Sequence, residues 1–174
     1  MGTPANARPI HPKVRIGHIH LKVADLERAI TFYKDVLGFN LTQRYGREAA
    51  FLSAGGYHHH IGLNTWESVG GSPPPAGTTG LYHLAIVYPM RGELADALRR
   101  LLAAGIPLEG ASDHGVSEAL YLRDPDGNGV ELYWDRPKEQ WPRTPDGELK
   151  MITAPLDLEA LLSEPMTADR PTKE

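Results

Sequence analysis

One structural unit is written twice in this chain of 174 residues. The first copy opens with the strand-like stretch VRIGHIHLKV and then places apolar residues at helical spacing from Leu26 to Leu37, before Gly38. The second opens with LYHLAIVY, repeats that spacing from Leu94 to Leu102 and reaches Gly105. Short alternating stretches follow both helices: AAFLS and HHIGL in the first copy, ALYLR and GVELYW in the second. Each copy therefore predicts a β-α-β-β-β unit, and the pair constrains the fold strongly.

The rest of the chain divides around these two copies. We predict a flexible N-terminal arm at residues 1–13, a first module at 14–66 and a Gly- and Pro-rich linker at 67–80. A second module follows at 81–135, and a C-terminal extension at 136–174 carries one short helix from Leu156 to Leu162.

Composition excludes several classes of function. The net charge of -4 argues against a nucleic-acid or anionic-membrane partner, which requires a basic face. The absence of cysteine excludes disulfides, thiolate metal sites and a cysteine nucleophile, and it suits a reducing cytoplasm. No apolar run approaches membrane-spanning length, and the N-terminus lacks the apolar stretch of a signal peptide. We therefore expect a cytoplasmic protein.

The strands also predict a polar cleft. Side chains alternate between the two faces of a strand, so His18 and His20 lie opposite to Leu21, which packs on the helix. Two curved sheets with their helices outside would enclose a cleft lined by His18, His83, Tyr121 and Glu131. Two imidazoles and one carboxylate can hold a divalent metal on one face. The predicted fold is thus α+β, with two tandem βαβββ modules forming curved mixed sheets, helices outside and a metal cleft inside.

The phrases GHIHLKVADLERAITFYKDVLGF and ALYLRDPDGNGVELYWDRP resemble the vicinal oxygen chelate superfamily, which groups glyoxalases, bleomycin-resistance proteins and extradiol dioxygenases. The resemblance spans about Val14 to Pro142 and is strongest to small catechol 2,3-dioxygenases. It implies metal ligands at His18 rather than His20, at His83 on the second opening strand, and at Glu131 after the DPDGNG turn. With Fe(II), these three form a facial triad whose open positions take a catecholate and dioxygen. Mn(II) accepts the same donors.

The run HHH at 58–60 contains the acid-base residue that the resemblance implies. In extradiol enzymes this histidine stands three places before a small residue, and Gly62 selects His59. His60 follows, where the family commonly has Asp or Thr. The pleat adds a complication, because His59 shares a side with Ile61 and His60 shares a side with Gly62. His60 therefore remains the alternative, and His58 is expected at the periphery or surface.

Two further residues match the family pattern in which a histidine and a tyrosine bracket the substrate. Tyr121 points into the predicted cleft, and His114 lies on the loop before it. The resemblance implies that Tyr121 donates to a substrate oxygen or orients dioxygen, and that His114 stabilises a charged intermediate. The DPDGNG segment is interpreted as a turn that aims Glu131, with Asp126 and Gly127 setting the hairpin.

The function implied is ring cleavage of a small aromatic diol with O2 by an extradiol dioxygenase, assembled as a homodimer or higher homo-oligomer. The modules could pair within one chain or exchange between chains. A glyoxalase-type isomerase usually has a second carboxylate or a glutamine near Ile61 to Leu63, where this chain has neither. A metal-dependent thiol transferase uses the same triad and has no need of His59. A non-enzymatic drug-binding protein has no reason to keep the triad.

Overall fold

Both copies of the repeat have the same order of elements in the computed structural model, which describes residues 8–165. The first module contains β1 (Ile19–Lys22), α1 (Leu26–Ile30), β2 (Asn40–Tyr45), β3 (Ala49–Ser53) and β4 (Ile61–Asn64). The second contains β5 (Leu84–Tyr88), α2 (Arg91–Ala103), β6 (Gly110–Asp113), β7 (Ser117–Arg123) and β8 (Gly129–Asp135). The extension adds a short 3-10 helix (Lys138–Gln140), β9 (Ala154–Pro155) and α3 (Leu158–Leu162).

The first helix begins and ends as its sequence predicts, but its second half is wider than an α-helix. The Asp25 carboxylate accepts a hydrogen bond from the Arg28 backbone N–H at 3.0 Å and so caps the N-terminus. The helix then continues from Thr31 to Val36 in π-helical geometry. Gly38 stops it with a φ of 89°, a backbone conformation that side-chain-bearing residues rarely adopt.

The two modules form two mixed sheets with the same topology. Strand order is β1-β4-β3-β2 in the first sheet and β5-β8-β7-β6-β9 in the second. The first strand of each module runs parallel to the last, and the other pairs are antiparallel. This arrangement confirms the predicted α+β class with paired βαβββ modules.

The helix-facing sides of both sheets contribute to one hydrophobic core. Val23, Leu52 and Leu63 of the first module belong to the same cluster as Leu120 and Leu132 of the second. Burying this apolar surface supplies the main favourable free energy for joining the modules.

Polar contacts fix how the modules meet. The buried hydroxyl of Tyr33, in the first helix, donates to Asp124 Oδ2 at 2.9 Å. Asp126, in the same turn of the second module, accepts from the Ala24 N–H and from the Arg28 guanidinium, both at 2.8 Å. These hydrogen bonds join the first helix and Ala24 ahead of it to the turn that precedes β8, on the helix side of the sheets.

The opposite sides of the two sheets are left open in the single chain. Tyr45 and Val87 lie on these open faces and are 67% and 55% exposed. In the register, Tyr45 pairs with Ala49 on the first sheet, and Val87 pairs with Tyr133 on the second. Both faces therefore present apolar surface together with the polar side chains described below.

The C-terminal extension is fastened along the second module. β9 pairs with the edge strand β6, and Leu161 of α3 is fully buried. Arg91 donates to Glu164 at 2.6 Å, and Arg99 donates to the Leu162 carbonyl at 2.8 Å. Within residues 8–165, no helix has the length and apolar character needed to cross a membrane.

Candidate active site

On the open face of the second sheet, a carboxylate and an imidazole are in direct contact. His83 directly precedes β5, and its Nε2 lies 2.9 Å from Glu131 Oε2 on β8. The close approach depends on Gly129, because a Cβ there would lie 2.1 Å from the Tyr82 carbonyl oxygen. The absence of a side chain at Gly129 thus allows the start of β5 to reach the strand that carries Glu131.

Tyr121 extends this contact into a chain of hydrogen bonds. It sits opposite Glu131 in the β7–β8 register, and its hydroxyl lies 3.1 Å from Glu131 Oε1. The same hydroxyl lies 2.8 Å from His114 Nε2. Partial burial, followed by the nearby Glu131 charge, raises the pKa of Tyr121 to about 12. Tyr121 is therefore a neutral hydroxyl across the ordinary pH range. We call His83, His114, Tyr121 and Glu131 the carboxylate group.

A cavity of about 440 Å³ lies over this group and is lined by His83, His114 and Tyr121 together with Ser112 and Arg123. Sites for small molecules are typically concave and combine apolar walls with a few polar groups, and the volume suits a small organic ligand.

On the open face of the first sheet, the polar side chains are imidazoles. The rings of His18 and His59 have centroids 4.4 Å apart, and Phe51 packs against His59 at 5.0 Å. The Nδ1 atoms of His58 and His59 are 2.7 Å apart, so one of them donates and the other accepts. Burial and the neighbouring imidazoles lower the pKa of His59. We call His18, His58 and His59 the imidazole group.

The structure separates His59 from His60. His59 precedes β4 in irregular backbone, so the strand alternation that would turn it toward the helix does not apply, and its ring lies beside His18. His60 Nδ1 instead lies 3.0 Å from Ser53 Oγ and accepts from the Ala54 N–H at 3.3 Å. His60 thus holds the loop between β3 and β4, and the half-buried His59 is the one whose ring lies beside His18.

His20 lies on the same face of the first sheet but has different neighbours. Its ring packs near Trp66 and Phe51, with centroids 5.7 Å and 6.0 Å away. A Cβ at Gly62 would lie 2.9 Å from this ring, so glycine makes room for it. Partial burial and His18 lower the pKa of His20. His20 is thus held by aromatic packing against Trp66 and Phe51, whereas the His18 ring packs against His59.

The predicted ligands therefore fall into two sets within one chain. His83 and Glu131 meet, but no cluster of three or more His, Cys, Asp or Glu side chains suited to a metal ion occurs between residues 8 and 165. Within these residues His18 does not take part in the His83–Glu131 contact, so the triad of His18, His83 and Glu131 stays a prediction. The shared core and the Tyr33–Asp124 contact join the modules through residues on the helix sides of the sheets, whereas the predicted ligands lie on the open faces.

Two groups that help to position the site were not predicted from the sequence. Asp124 holds the turn before β8 by accepting from the backbone N–H groups of Asp126 and Asn128, whereas Asp126 reaches across to the first module. The carbonyl of Ile152 contacts His114 from the C-terminal extension. An Asp two residues before another Asp and four before Asn is a recognisable turn signal, but nothing in the sequence around Ile152 marks its carbonyl.

Comparison with known proteins agrees with this architecture. Residues 15–132 match the model of the Glyoxalase/Bleomycin resistance protein/Dioxygenase superfamily, and the chain belongs to that family. A solved glyoxalase/dioxygenase from Nostoc punctiforme has a TM-score of 0.62 over 76% of this chain and 100% of that one. At 20% identity this likeness supports the fold alone.

Two relatives are more similar in sequence. The chain is 44% identical over 155 residues to Catechol-2,3-dioxygenase of Bacillus subtilis (strain 168), covering 89% of this chain and 53% of that protein. It is 38% identical over 125 residues to Biphenyl-2,3-diol 1,2-dioxygenase 3 of Rhodococcus globerulus, covering 70% of this chain and 63% of the relative. The chain thus spans about half to two thirds of the length of these dioxygenases.

Proposed function

We propose that this protein is an extradiol ring-cleavage dioxygenase that uses O2 on a catechol-type substrate. The observation that carries the proposal is the carboxylate group, in which His83, Glu131, Tyr121 and His114 form one connected chain beside a cavity. Similarity to two diol dioxygenases supports the same class of reaction. A cysteine-free composition also fits action in a reducing cytoplasm.

The donor set fits Fe(II), with Mn(II) as an acceptable substitute, once His18 joins His83 and Glu131. These three residues would hold such a metal, which would supply the redox chemistry for the reaction of a vicinal diol with dioxygen. In one chain only two of these three donors meet, so a single chain offers an incomplete site.

The protein's own residues have separate tasks in this proposal. His59, whose pKa is lowered, is neutral near pH 7 and accepts a proton from the catechol hydroxyl. Tyr121 stays protonated and donates to a substrate oxygen. His114, whose Nε2 lies 2.8 Å from the Tyr121 hydroxyl, orients that hydroxyl and stabilises a charged intermediate.

We further propose that two copies of the chain complete the site by placing the imidazole group of one against the carboxylate group of the other. The separation of the three ligands into two open faces supports this assembly. So does the exposed apolar surface at Tyr45 and Val87, which a partner face would cover. A two-fold dimer of this kind contains two equivalent sites, because each copy supplies both groups.

The activity is tested on protein purified without air. We expect bound iron, oxygen uptake on addition of catechol and formation of a yellow ring-opened semialdehyde. Isomerisation of a thiol adduct without oxygen uptake would indicate a glyoxalase-type enzyme, and thiol addition to an antibiotic would indicate a transferase. Ligand binding without metal would indicate a drug-binding protein.

The assembly is tested by mixing two inactive chains. His18→Ala and Glu131→Gln variants, carrying different affinity tags, are co-expressed and the mixed dimers isolated. A site shared between chains is rebuilt once per mixed dimer, so metal content should be about half that of wild type. A site contained in one chain stays broken in both, and the mixed dimers would then contain no tightly bound metal. Light scattering that shows a monomer would also exclude the shared site.

A further inference from the structure

Two carboxylates face each other near one end of the second sheet. Asp113, the last residue of β6, pairs with Glu118 of β7 in the antiparallel register. Directly opposed residues share one face of a sheet, so two negative charges there repel each other. The Glu118 side chain is only 5% exposed, which makes an uncompensated charge costly. The arrangement therefore requires a cation that reaches both carboxylates.

Arg136, the first residue of the C-terminal extension, supplies that cation. Its Nη1 donates to Asp113 Oδ1 at 2.6 Å, and its Nη2 donates to Asp113 Oδ2 at 3.0 Å and to Glu118 Oε1 at 2.8 Å. The hydrogen bonds from Arg136 lower the pKa of Asp113. The Arg136 backbone is held as well, because its N–H donates to the Val116 carbonyl at 2.8 Å and its carbonyl accepts from the Trp141 indole at 2.7 Å. A planar guanidinium makes this two-point contact, which a lysine cannot reproduce.

The carboxylate that Arg136 binds shapes the turn that carries His114. Asp113 Oδ1 also accepts from the Gly115 N–H at 2.8 Å, and the His114 N–H donates to the Ser117 carbonyl at 2.8 Å and closes the turn. Gly115 has a φ of 75°, a backbone conformation that side-chain-bearing residues rarely adopt. Asp113 thus fixes the turn from within, and Arg136 fixes where the Asp113 carboxylate lies.

The position of the turn determines the position of the His114 ring. Its Nδ1 lies 3.0 Å from the Ile152 carbonyl oxygen and 3.4 Å from Thr153 Oγ1, and its Nε2 lies 2.8 Å from the Tyr121 hydroxyl. If the turn moved away by about 1 Å, the contact with Tyr121 would exceed hydrogen-bond distance.

We infer that Arg136 is a positioning residue for His114. Its guanidinium joins Asp113 to the buried Glu118 and so fixes the β6–β7 turn. The fixed turn keeps the His114 ring beside the Tyr121 hydroxyl, which it orients during turnover. The effect on turnover rests on the proposed function, whereas the effect on the turn does not.

Arg91 offers a matched control. Its Nε donates to Glu118 Oε2 at 2.8 Å and its Nη1 donates to Glu164 Oε1 at 2.6 Å, so its ion-pair partners within residues 8–165 lie outside the turn. Its side chain is as buried as that of Arg136, at 23% and 20% exposed. Arg91→Lys and Arg136→Lys therefore weaken the same buried carboxylate, but only the second also weakens Asp113.

The turn is tested by NMR on the metal-free chain. Wild type should give a nuclear Overhauser contact between the ring protons of His114 and Tyr121, assigned with His114→Asn. We expect this contact to be lost in Arg136→Lys and in Asp113→Asn, whose amide oxygen can still accept from the backbone of the turn, and to persist in Arg91→Lys. A wild-type chain without the contact, or the same contact in every folded variant, overturns the inference.

Turnover of catechol tests whether Arg136 acts through His114. Arg136→Lys should lower kcat by about 10–100-fold with little change in KM, as is typical when a partner behind a functional residue is lost, whereas Arg91→Lys should keep the wild-type kcat. In a His114→Asn background, Arg136→Lys should have no further effect on kcat, because both changes disable one unit. A further loss of the same size there would contradict the positioning role.

The positioning role and the dioxygenase proposal fail in different ways. If no chain consumes oxygen with catechol but the ring contact depends on Arg136, the dioxygenase proposal fails and the positioning role stands. If wild type cleaves catechol and the ring contact is unchanged in Arg136→Lys and Asp113→Asn, the positioning role alone fails. If Arg136→Lys does not fold, Asp113→Asn decides, because it leaves the pair of Arg136 and Glu118 in place.

Discussion

The imidazole group and the carboxylate group occupy equivalent faces of the two modules but differ in chemistry. The carboxylate group is a connected chain built around one carboxylate, and each member has a polar partner within 3.1 Å. Within residues 8–165 no ion pair joins the imidazole group to a carboxylate, and burial, followed by the neighbouring imidazoles, lowers the pKa of His59. The two modules thus have similar backbones but different side chains: the second module carries the negative charge, and the first carries the predicted proton acceptor.

The largest effect is expected when the charge is removed. Glu131→Gln should abolish tight metal binding, because a neutral amide is a much weaker ligand than a carboxylate. Metal analysis after dialysis measures this loss. Glu67→Gln is the control, since that carboxylate is exposed and its ion-pair partner among residues 8–165 is Lys22.

His18→Ala should also lose metal, although it removes a ligand from the opposite group. His20→Ala should retain most of it, because His20 is held by Trp66 and Phe51 beside the predicted ligand. Full occupancy in His18→Ala with loss in His20→Ala would show that the wrong strand histidine was chosen.

A smaller effect is expected from the proton acceptor. His59→Asn should bind metal and catechol but lose roughly 10²–10⁴ in kcat, the usual contribution of a positioned acid-base group. Steady-state kinetics with KM measured separately checks this. His58→Asn should cost little. His60→Asn should loosen the loop at Ser53 and lower stability more than kcat. A large kcat loss in His60→Asn beside normal His59→Asn would reverse the assignment.

Tyr121→Phe should lower kcat by about 10–100-fold, because it breaks the link between His114 and Glu131 without opening a cavity. Tyr133→Phe, on the same sheet face, is the matched control. Equal activity of the two variants would remove Tyr121 from the reaction.

The smallest effect is expected on stability, from the hydrogen bond that joins the two modules. Tyr33→Phe should lower the free energy of unfolding by about 1 kcal/mol, because Asp124 loses a buried donor but keeps its backbone partners. Chemical denaturation measures it, and catalysis at saturating substrate should be unchanged.

The same variant has a pH signature. Burial and Asp124 raise the pKa of Tyr33 well above that of free tyrosine. An unfolded tyrosine ionises near about pH 10, whereas folded Tyr33 does not, so its stabilising contribution is complete below that pH and is lost as pH rises above it. Wild type should therefore lose stability above about pH 10 more steeply than Tyr33→Phe. Parallel stability curves would contradict this.

The sequence predicted the fold well because helical and strand periodicities are local and occur twice. It also identified which strand residues face away from the helices, as at Tyr121 and Glu131. It failed where the chain leaves regular structure: His59 lies before β4, where strand alternation no longer specifies a side.

Module packing was equally hidden. The packing depends on the directions in which the Asp124 and Asp126 side chains point from one turn. The sequence periodicity is the same whether the modules pair within one chain or between two chains. The contact at Ile152 uses a main-chain atom, which any residue type provides.

The parallel pairing of first and last strands has a consequence for how the chain folds. In the part of the chain that the structure describes, β1 is an edge strand paired with β4, and β5 is an edge strand paired with β8. The first strand of each module can therefore pair only after the last strand of that module has formed. Closing the chain between these two strands is then part of the folding barrier. During synthesis the first module can close before the second has emerged, whereas the Tyr33–Asp124 contact must wait for the turn before β8.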